Sequence, residues 1–208
     1  SKEGPKDGGN LIGLTDKRAN INRKLVQIDE NIYATFSGLA ADGRVIFDKI
    51  RVECQQYKLK FGECPPIFRI ARFAGDIQHR YTLRGGGRPF GVACMIFGFD
   101  RENGSMRIFR TDPSGAISEW KAVAIGGSKS NAAVMKLLEA EGDKLNVSDG
   151  DEVLDAACKV TLQGTGFLEC DALILTVENQ RLSRKWLTAK KMRTEEKLSF
   201  EELEMKSF

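Results

Sequence analysis

The chain has few of the residues from which metal sites and acid–base pairs are usually built. Its 208 residues include one histidine, His79, so a site with several histidine ligands cannot form. The five cysteines are scattered and form no CxxC pair, which argues against zinc and favours reduced thiols in a cytosolic or nuclear protein. They are Cys54, Cys64, Cys94, Cys158 and Cys170. We therefore expect no metal and no cofactor.

Long apolar runs and a strong charge of one sign are also missing. No apolar run approaches the roughly 20 residues of a membrane span, and the first residues show no signal-peptide pattern. The net charge of +3 is too small to indicate nucleic-acid binding by itself. A hydrophobic content of 41% and a charged content of 29% are typical of a soluble globular domain. We expect one domain over residues 1–208, with no membrane or nucleic-acid partner.

The spacing of apolar residues predicts blocks of strands that alternate with pairs of helices. Strand-like runs lie at 11–14, 25–28, 32–36, 92–99, 106–109, 172–177 and 182–187. Helical spacing predicts helices at about 41–60, 67–81, 128–140 and 153–162, and Ser199 is a candidate cap for a short last helix over 200–208. This order indicates a layered α+β or α/β architecture.

Short motifs follow one another in two blocks of the chain. The first block contains Ile28-Asp29, then Ser37-Gly38-Leu39-Ala40-Ala41-Asp42-Gly43-Arg44, then Arg51-Val52-Glu53-Cys54-Gln55. The second contains Arg88-Pro89-Phe90-Gly91, Gly98-Phe99-Asp100, Asp112-Pro113-Ser114-Gly115, Trp120-Lys121-Ala122 and Ala124-Ile125-Gly126. Asp112 to Gly115 is a predicted turn, because proline presets φ and glycine permits a positive φ.

This order of motifs resembles the proteasome alpha subunits over residues 11 to 177. Several spaced motifs in register are a specific signal, whereas any one of them alone would be weak. The resemblance implies the N-terminal-nucleophile hydrolase fold, which is an α+β, four-layer αββα sandwich of antiparallel sheets. Among eukaryotic subunits, the Arg51 to Gln55 block with Arg80-Tyr81-Thr82 is most similar to the alpha-4 type.

The resemblance implies a structural function. It indicates a non-catalytic subunit of the alpha ring of the 20S proteasome, which contributes to ring assembly, substrate entry and activator docking in ubiquitin-dependent protein degradation. The implied partners are neighbouring alpha subunits, beta-ring subunits and the C-terminal tails of activators or regulatory particles, in the cytoplasm and nucleus. The family's N-terminal tail, which closes the axial gate, is not matched here. The short helix, which packs between neighbours in the ring, and the first strand are not matched either. The resemblance therefore does not extend to gating.

Lys24 is the residue to which the resemblance assigns a binding function. It matches the alpha-subunit lysine just before the strand that leads to Ile28-Asp29. In the family that lysine lies in a pocket between neighbouring alpha subunits and pairs with the C-terminal carboxylate of activator tails. An ammonium group suits this capture as a point charge. From the residues alone, a solvated lysine at a strand entry is the alternative.

Two other functional classes stay open at this stage. Ser1 could serve a self-standing hydrolase as an N-terminal nucleophile with its own amine as base. Residues 1–9 are polar and rich in glycine, however, rather than an apolar strand that would hold a nucleophile rigidly. A beta-type subunit is the third class. We assign no catalytic residue, because no GxSxG motif occurs and His79 is expected on the polar face of its helix beside Gln78 and Arg80.

The first long helix is expected to contact another subunit. The resemblance implies that the helix with Val45, Ile46, Ile50 and Cys54 lies on the face that stacks on the beta ring. Phe47 falls outside this apolar stripe, so we expect it to be an exposed contact residue. The basic run from Arg181 to Arg193 has no assigned function and fits a solvated hairpin and loop.

Overall fold

The computed structural model of the chain describes residues 10–16, 24–83, 87–140, 157–159, 161, 169–178, 181–191 and 198–202. The helices in these residues are α1 (Ala40–Phe61), α2 (Ile67–Leu83) and α3 (Ser128–Ala140). The strands are β1 (Asn10–Asp16), β2 (Val26–Asp29), β3 (Ile32–Gly38), β4 (Val92–Asp100), β5 (Ser105–Thr111), β6 (Ile117–Trp120), β7 (Glu169–Glu178), β8 (Arg181–Lys191) and β9 (Leu198–Glu202). No helix in the described ranges is long and apolar enough to cross a membrane.

Two antiparallel sheets form the centre of the molecule. One has four strands in the order β1-β7-β8-β9, and the other has five in the order β2-β3-β4-β5-β6. β4 and β5 form the predicted hairpin, in which Cys94 lies opposite Thr111 and Asp100 lies opposite Ser105. Among the described strands, β2 pairs with β3 alone and so lies at the edge of the sheet. Lys24 lies just before it.

The larger hydrophobic core lies between α1, α2 and one face of the five-stranded sheet. Both helices place an apolar stripe on this face, as their spacing predicts. The core includes Ile46, Ile50 and Cys54 of α1, Ile67, Ile70 and Ala74 of α2, and Phe36, Ile96 and Phe109 of the sheet. Helical amphipathicity therefore sets which side of each helix the sheet covers.

A second core lies between the two sheets. Leu25, Tyr33 and Phe97 on the five-stranded side pack with Leu173 and Leu175 of β7. The layer of α1 and α2, the five-stranded sheet and the four-stranded sheet are three of the four predicted layers. They confirm the α+β sandwich. The helix predicted at 153–162 lies largely outside the described residues. Within that range, residues 157–159 and 161 are described and are helical.

The prediction of a last helix that Ser199 would cap is wrong for the residues that the structure describes there. Residues 198–202 form β9, which pairs with β8 from Leu198 opposite Lys191 to Glu202 opposite Leu187. Leu198 and Phe200 alternate with polar residues, a period of two that fits a strand. Residues 203–208 lie outside the described part.

Candidate functional site

Lys24 lies at the entry to the edge strand β2. The next residue, Leu25, is buried between the sheets with Tyr33 and Phe97, which anchors the chain at this point. Lys24 is half-buried, and no carboxylate within the described residues forms an ion pair with it. Its ammonium group is therefore free of the protein's own described carboxylates, as a group that captures an external carboxylate must be.

Two arginine side chains lie against β2 beside this entry. Arg51 Nη2 of α1 donates a hydrogen bond to the Gln27 carbonyl oxygen over 3.2 Å. Arg184 Nη1 of β8 donates to Gln27 Oε1 and so links the two sheets. Arg184 belongs to the basic run to which the sequence assigned no function. Arg51 is also paired with Asp48, whereas Lys24 and Arg184 form no ion pair with a described carboxylate. These two positive charges at the edge favour an anionic partner.

Asp29 holds the turn that follows β2. Its Oδ1 accepts hydrogen bonds from Lys58 Nζ at 2.6 Å and from the Glu30 backbone N–H at 2.9 Å. Burial works to lower the pKa of Lys58, but the hydrogen bond and negative charge of Asp29 outweigh it and leave that pKa above its ordinary value. The Ile28-Asp29 motif thus ties β2 to the end of α1 and fixes the strand that Lys24 precedes.

Asp42 joins the start of α1 to the segment before β4. Arg88 donates to both of its oxygens, over 2.6 and 2.8 Å, and the Gly91 N–H donates to Oδ2 over 2.9 Å. The Arg88 hydrogen bonds hold the pKa of Asp42 below its ordinary value despite burial. Two motifs of the resemblance, one around Asp42 and the other Arg88 to Gly91, are therefore halves of one structural contact.

The turn from Asp112 to Gly115 is docked against α2. Asp112 Oδ1 accepts hydrogen bonds from the backbone N–H groups of Ser114 and Ala116, over 2.9 and 3.2 Å. The exposed His79 places Nδ1 at 3.2 Å from the Ser114 carbonyl oxygen. The chain's single histidine is thus a surface residue, as predicted, and it supports a turn. Its neighbour Gln78 is not on the polar face: it is fully buried and donates to the Val92 carbonyl oxygen over 2.8 Å.

The thiols of Cys54 and Cys94 are poor nucleophiles. Burial raises the pKa of Cys54 and of Cys94 to about 12, so both stay protonated at neutral pH. Among the described residues no cluster of histidine, cysteine and acidic side chains could hold a metal ion. Ser1 and the side chain of Cys170 lie outside the described part.

The outer face of α1 carries a line of exposed apolar residues. Val45, Val52 and Leu59 are spaced by seven residues, close to two helical turns, and are 44%, 56% and 89% exposed. They lie on the side opposite the residues that face the sheet. We call Val45, Val52 and Leu59 the outer stripe.

The expected contact face of α1 needs correction. Phe47 is only 2% exposed and packs edge-on against Phe36, with 5.4 Å between ring centroids. Ile46 and Ile50 likewise face the protein's own sheet. The sheet buries a wider face of α1 than the apolar stripe predicted from the sequence. Phe47 lies within the buried face but outside the predicted stripe. Of the residues named for the contact face, only Val45 is exposed, and the seven-residue spacing of the outer stripe was the signal available in the sequence.

Comparison with known proteins agrees with this fold. A family profile described as "Proteasome subunit" matches residues 13–167. "Proteasome subunit alpha type-7" of Dictyostelium discoideum is 46% identical over 117 residues, which are 56% of this chain and 46% of that protein. "Proteasome subunit alpha" of Methanocaldococcus jannaschii is 38% identical over 174 residues, or 82% and 65% of the two chains. "Proteasome subunit alpha type-8" of Mus musculus is 38% identical over 141 residues, or 68% and 55%.

The matched region therefore spans between about half and two thirds of the length of these relatives. None of these names tests the similarity to the alpha-4 type, which stays a prediction. The profile match covers well over half of the chain and contains both blocks of motifs, which run from Ile28 to Gly126. On this match, and on the named alpha subunits that it resembles, the chain belongs to the proteasome subunit family.

Proposed function

We propose that this chain is a non-catalytic structural subunit of the alpha ring of a 20S proteasome core particle. The observation that carries the proposal is the outer stripe of Val45, Val52 and Leu59 on α1. Apolar residues aligned and exposed on one helix face are best explained by a partner that covers them. We assign this face to the stacked beta ring, and neighbouring alpha subunits complete the ring.

The same proposal gives Lys24 a docking function. Lys24 is half-buried at a sheet edge that also carries Arg184, and it has no ion pair with a described carboxylate. A C-terminal carboxylate from an activator or regulatory particle would supply the missing charge. The subunit would then act in substrate entry and activator docking for ubiquitin-dependent degradation, in the cytoplasm and nucleus.

No observation favours the two alternatives. The relatives named above are alpha subunits, which supports neither a beta-type subunit nor a self-standing hydrolase at Ser1. In the described part, the one histidine supports a turn, and burial keeps the thiols of Cys54 and Cys94 protonated.

Native mass spectrometry of the tagged chain and its endogenous partners tests the proposal. We expect a large hetero-oligomer with other alpha-type and beta-type subunits, and no peptidase activity from the isolated chain. Ser1→Ala should leave the peptidase activity of the assembly unchanged. A chain that stays a stable monomer, or a peptidase activity that disappears with Ser1→Ala, would contradict the assignment.

A further inference from the structure

A cleft opens in the groove between α1 and α2. It is lined by Lys49 of α1 and by Ile77, Arg80 and Tyr81 of α2, and its volume is about 110 Å³. Since one water molecule needs roughly 10–15 Å³ of cavity, the cleft can hold a carboxyl group and the methylene groups that carry it. The buried Ile77 contributes an apolar floor. The cleft therefore combines a small apolar surface with two cations.

Lys49 has no counter-charge from its own helix. The two acidic residues nearest to it on α1 are engaged elsewhere: Asp48 pairs with Arg51 at 3.1 Å, and Glu53 pairs with Arg69 at 3.1 Å. No other carboxylate of the described residues forms an ion pair with Lys49. As far as the described part of the chain is concerned, its charge is left to solvent while this face is uncovered.

Arg80 of α2 likewise has no counter-charge among the described residues. Its Nε donates a hydrogen bond to the Asp76 carbonyl oxygen over 3.2 Å, which uses one of the five N–H groups of the guanidinium. No carboxylate within the described ranges, that of Asp76 included, forms an ion pair with it. Four N–H donors and a full positive charge therefore remain for another group.

The cleft is continuous with the outer stripe. Lys49 lies four residues after Val45 and three before Val52, which places it on the same side of α1. A partner that covers the stripe also covers Lys49 and the cleft. Removing two cations from water without a counter-charge is costly, so a partner that fits this face must bring a negative charge to it.

We propose that the cleft receives an aspartate or glutamate side chain from a helix of the subunit that covers α1. The carboxylate would lie between Lys49 and Arg80, and its methylene groups would contact Ile77 and the ring of Tyr81. This inference rests on the proposed function, because it names the chemistry by which the covering subunit is recognised. A charge pair in this groove would fix the register of the two subunits as well as their affinity.

The test uses the assembled particle with charge-reversed variants of this chain. Lys49→Glu with Arg80→Glu should weaken stacking by roughly tenfold or more, because like charges then face each other across the contact. Arg72→Glu is the matched control: it is an exposed arginine of α2 that does not line the cleft, and its reversal should leave stacking within about twofold. Stacking is measured by native mass spectrometry as the fraction of this chain in the double-ring particle over a titration of the partner ring.

A photocrosslinker at position 49 in the wild-type background identifies the occupant. We expect a crosslink beside an acidic residue on a beta-subunit helix, and replacing that residue by lysine should restore stacking of the doubly reversed variant. A crosslink to an alpha neighbour or an activator tail would overturn the inference, and so would equal effects of the cleft and control variants. In either case, normal incorporation of the wild-type chain would still uphold the proposed function. Failure of the wild-type chain to enter any particle would overturn both.

Discussion

Asp29, Asp42 and Asp112 show how single residues in the family motifs act. Asp29 accepts a hydrogen bond from Lys58 of α1, Asp42 from the segment before β4, and Asp112 from the backbone of its own turn. None belongs to a metal-binding cluster in the described residues. Buried carboxylates keep their charge only when such donors surround them. These three motif residues are therefore explained by structure, whereas the charge of Lys24 has no described partner.

Replacement of Asp42 by asparagine tests the largest of these contacts. Asp42→Asn should lower the free energy of unfolding by about 1–2 kcal/mol at pH 7, because charge-assisted hydrogen bonds from Arg88 and Gly91 weaken. The folded-state pKa of Asp42 is lowered, so its contribution is complete above the unfolded pKa near 4 and is lost as the pH falls through the folded value. Denaturant unfolding at pH 7 and pH 3 should show the gap between wild type and variant narrowing at pH 3.

Asp48→Asn is the control for that experiment. Its carboxylate is exposed and pairs with Arg51 on the surface of the same helix. The change should cost less than about 0.5 kcal/mol at either pH. Equal losses in the two variants, or an Asp42→Asn gap that stays constant with pH, would show that the Arg88 contact does not act as described.

Replacement of Lys24 by alanine tests the docking function. A charge-assisted hydrogen bond of this kind contributes roughly 1.5–3 kcal/mol, so Lys24→Ala should weaken docking at this pocket about ten- to a hundredfold. Avidity from the other pockets will mask part of the loss in a whole-particle assay. Crosslinking of activator C-terminal tails to this subunit in reconstituted particles measures the local effect.

Lys24→Arg should rescue docking only in part, because the planar guanidinium presents a different geometry. The free energy of unfolding should stay the same in both variants, since no described ion pair is lost. Undiminished crosslinking in Lys24→Ala particles would show that the docking function implied by the resemblance does not apply to this chain.

Among the structural elements, the turn between β5 and β6 depends on its contact with α2. Gly115 has a φ of +89°, and a Cβ atom there would lie 2.5 Å from the Gly75 carbonyl oxygen and 2.7 Å from His79 Cβ. Both the backbone conformation and the space therefore require glycine. The Asp112 to Gly115 motif is thus a docking element that joins the sheet to its helical layer.

Gly115→Ala should destabilise the protein by about 2–4 kcal/mol, since backbone strain adds to a backbone clash that cannot relax. Gly104→Ala separates the two causes. Gly104 has a φ of +64° with no atom within 4 Å of the added Cβ, so only strain of about 1 kcal/mol is expected. Thermal or denaturant unfolding of the two variants measures the difference, and equal losses would argue against the close contact with α2.

At the scale of the whole molecule, α1 separates two kinds of apolar surface. Its inner face fills the protein's own core, and its outer stripe stays exposed. When a helix has apolar residues on two opposite sides, one side can be buried in the protein's own core and the other can be covered by a partner subunit. This distinction predicts that the two faces respond differently to substitution.

Replacing the outer stripe by polar residues of similar size should affect assembly and not folding. Val45→Thr with Val52→Thr and Leu59→Gln should change the free energy of unfolding by less than about 1 kcal/mol, because exposed sites contribute little. Incorporation into double-ring particles should fall. Ile50→Ala is the control on the inner face, where the buried side chain should cost about 2–5 kcal/mol of stability. Unchanged incorporation of the stripe variant would contradict the proposed interface.

The sequence alone determined the elements whose patterns are local. α1, α2 and the hairpin of β4 and β5 were predictable, because amphipathic period and turn residues act within a few residues of one another. The family was also predictable, because the order of motifs survives in the chain without any knowledge of contacts. The docking function of Lys24 stays a prediction. The strand β9 was missed, since five residues carry too short a pattern to separate a strand from a helix.

Only the tertiary structure decided which faces are covered. Periodicity shows that residues share a side of a helix, but it does not show how wide the covering sheet is, so Phe47 was assigned to the surface and Gln78 to the polar face. The cleft between Lys49 and Arg80 depends on residues about 30 positions apart, on two helices brought together by packing on a common sheet. Contacts between residues so far apart in the sequence form because the apolar stripes of both helices are buried against the same sheet. The sequence pattern within one helix does not predict them.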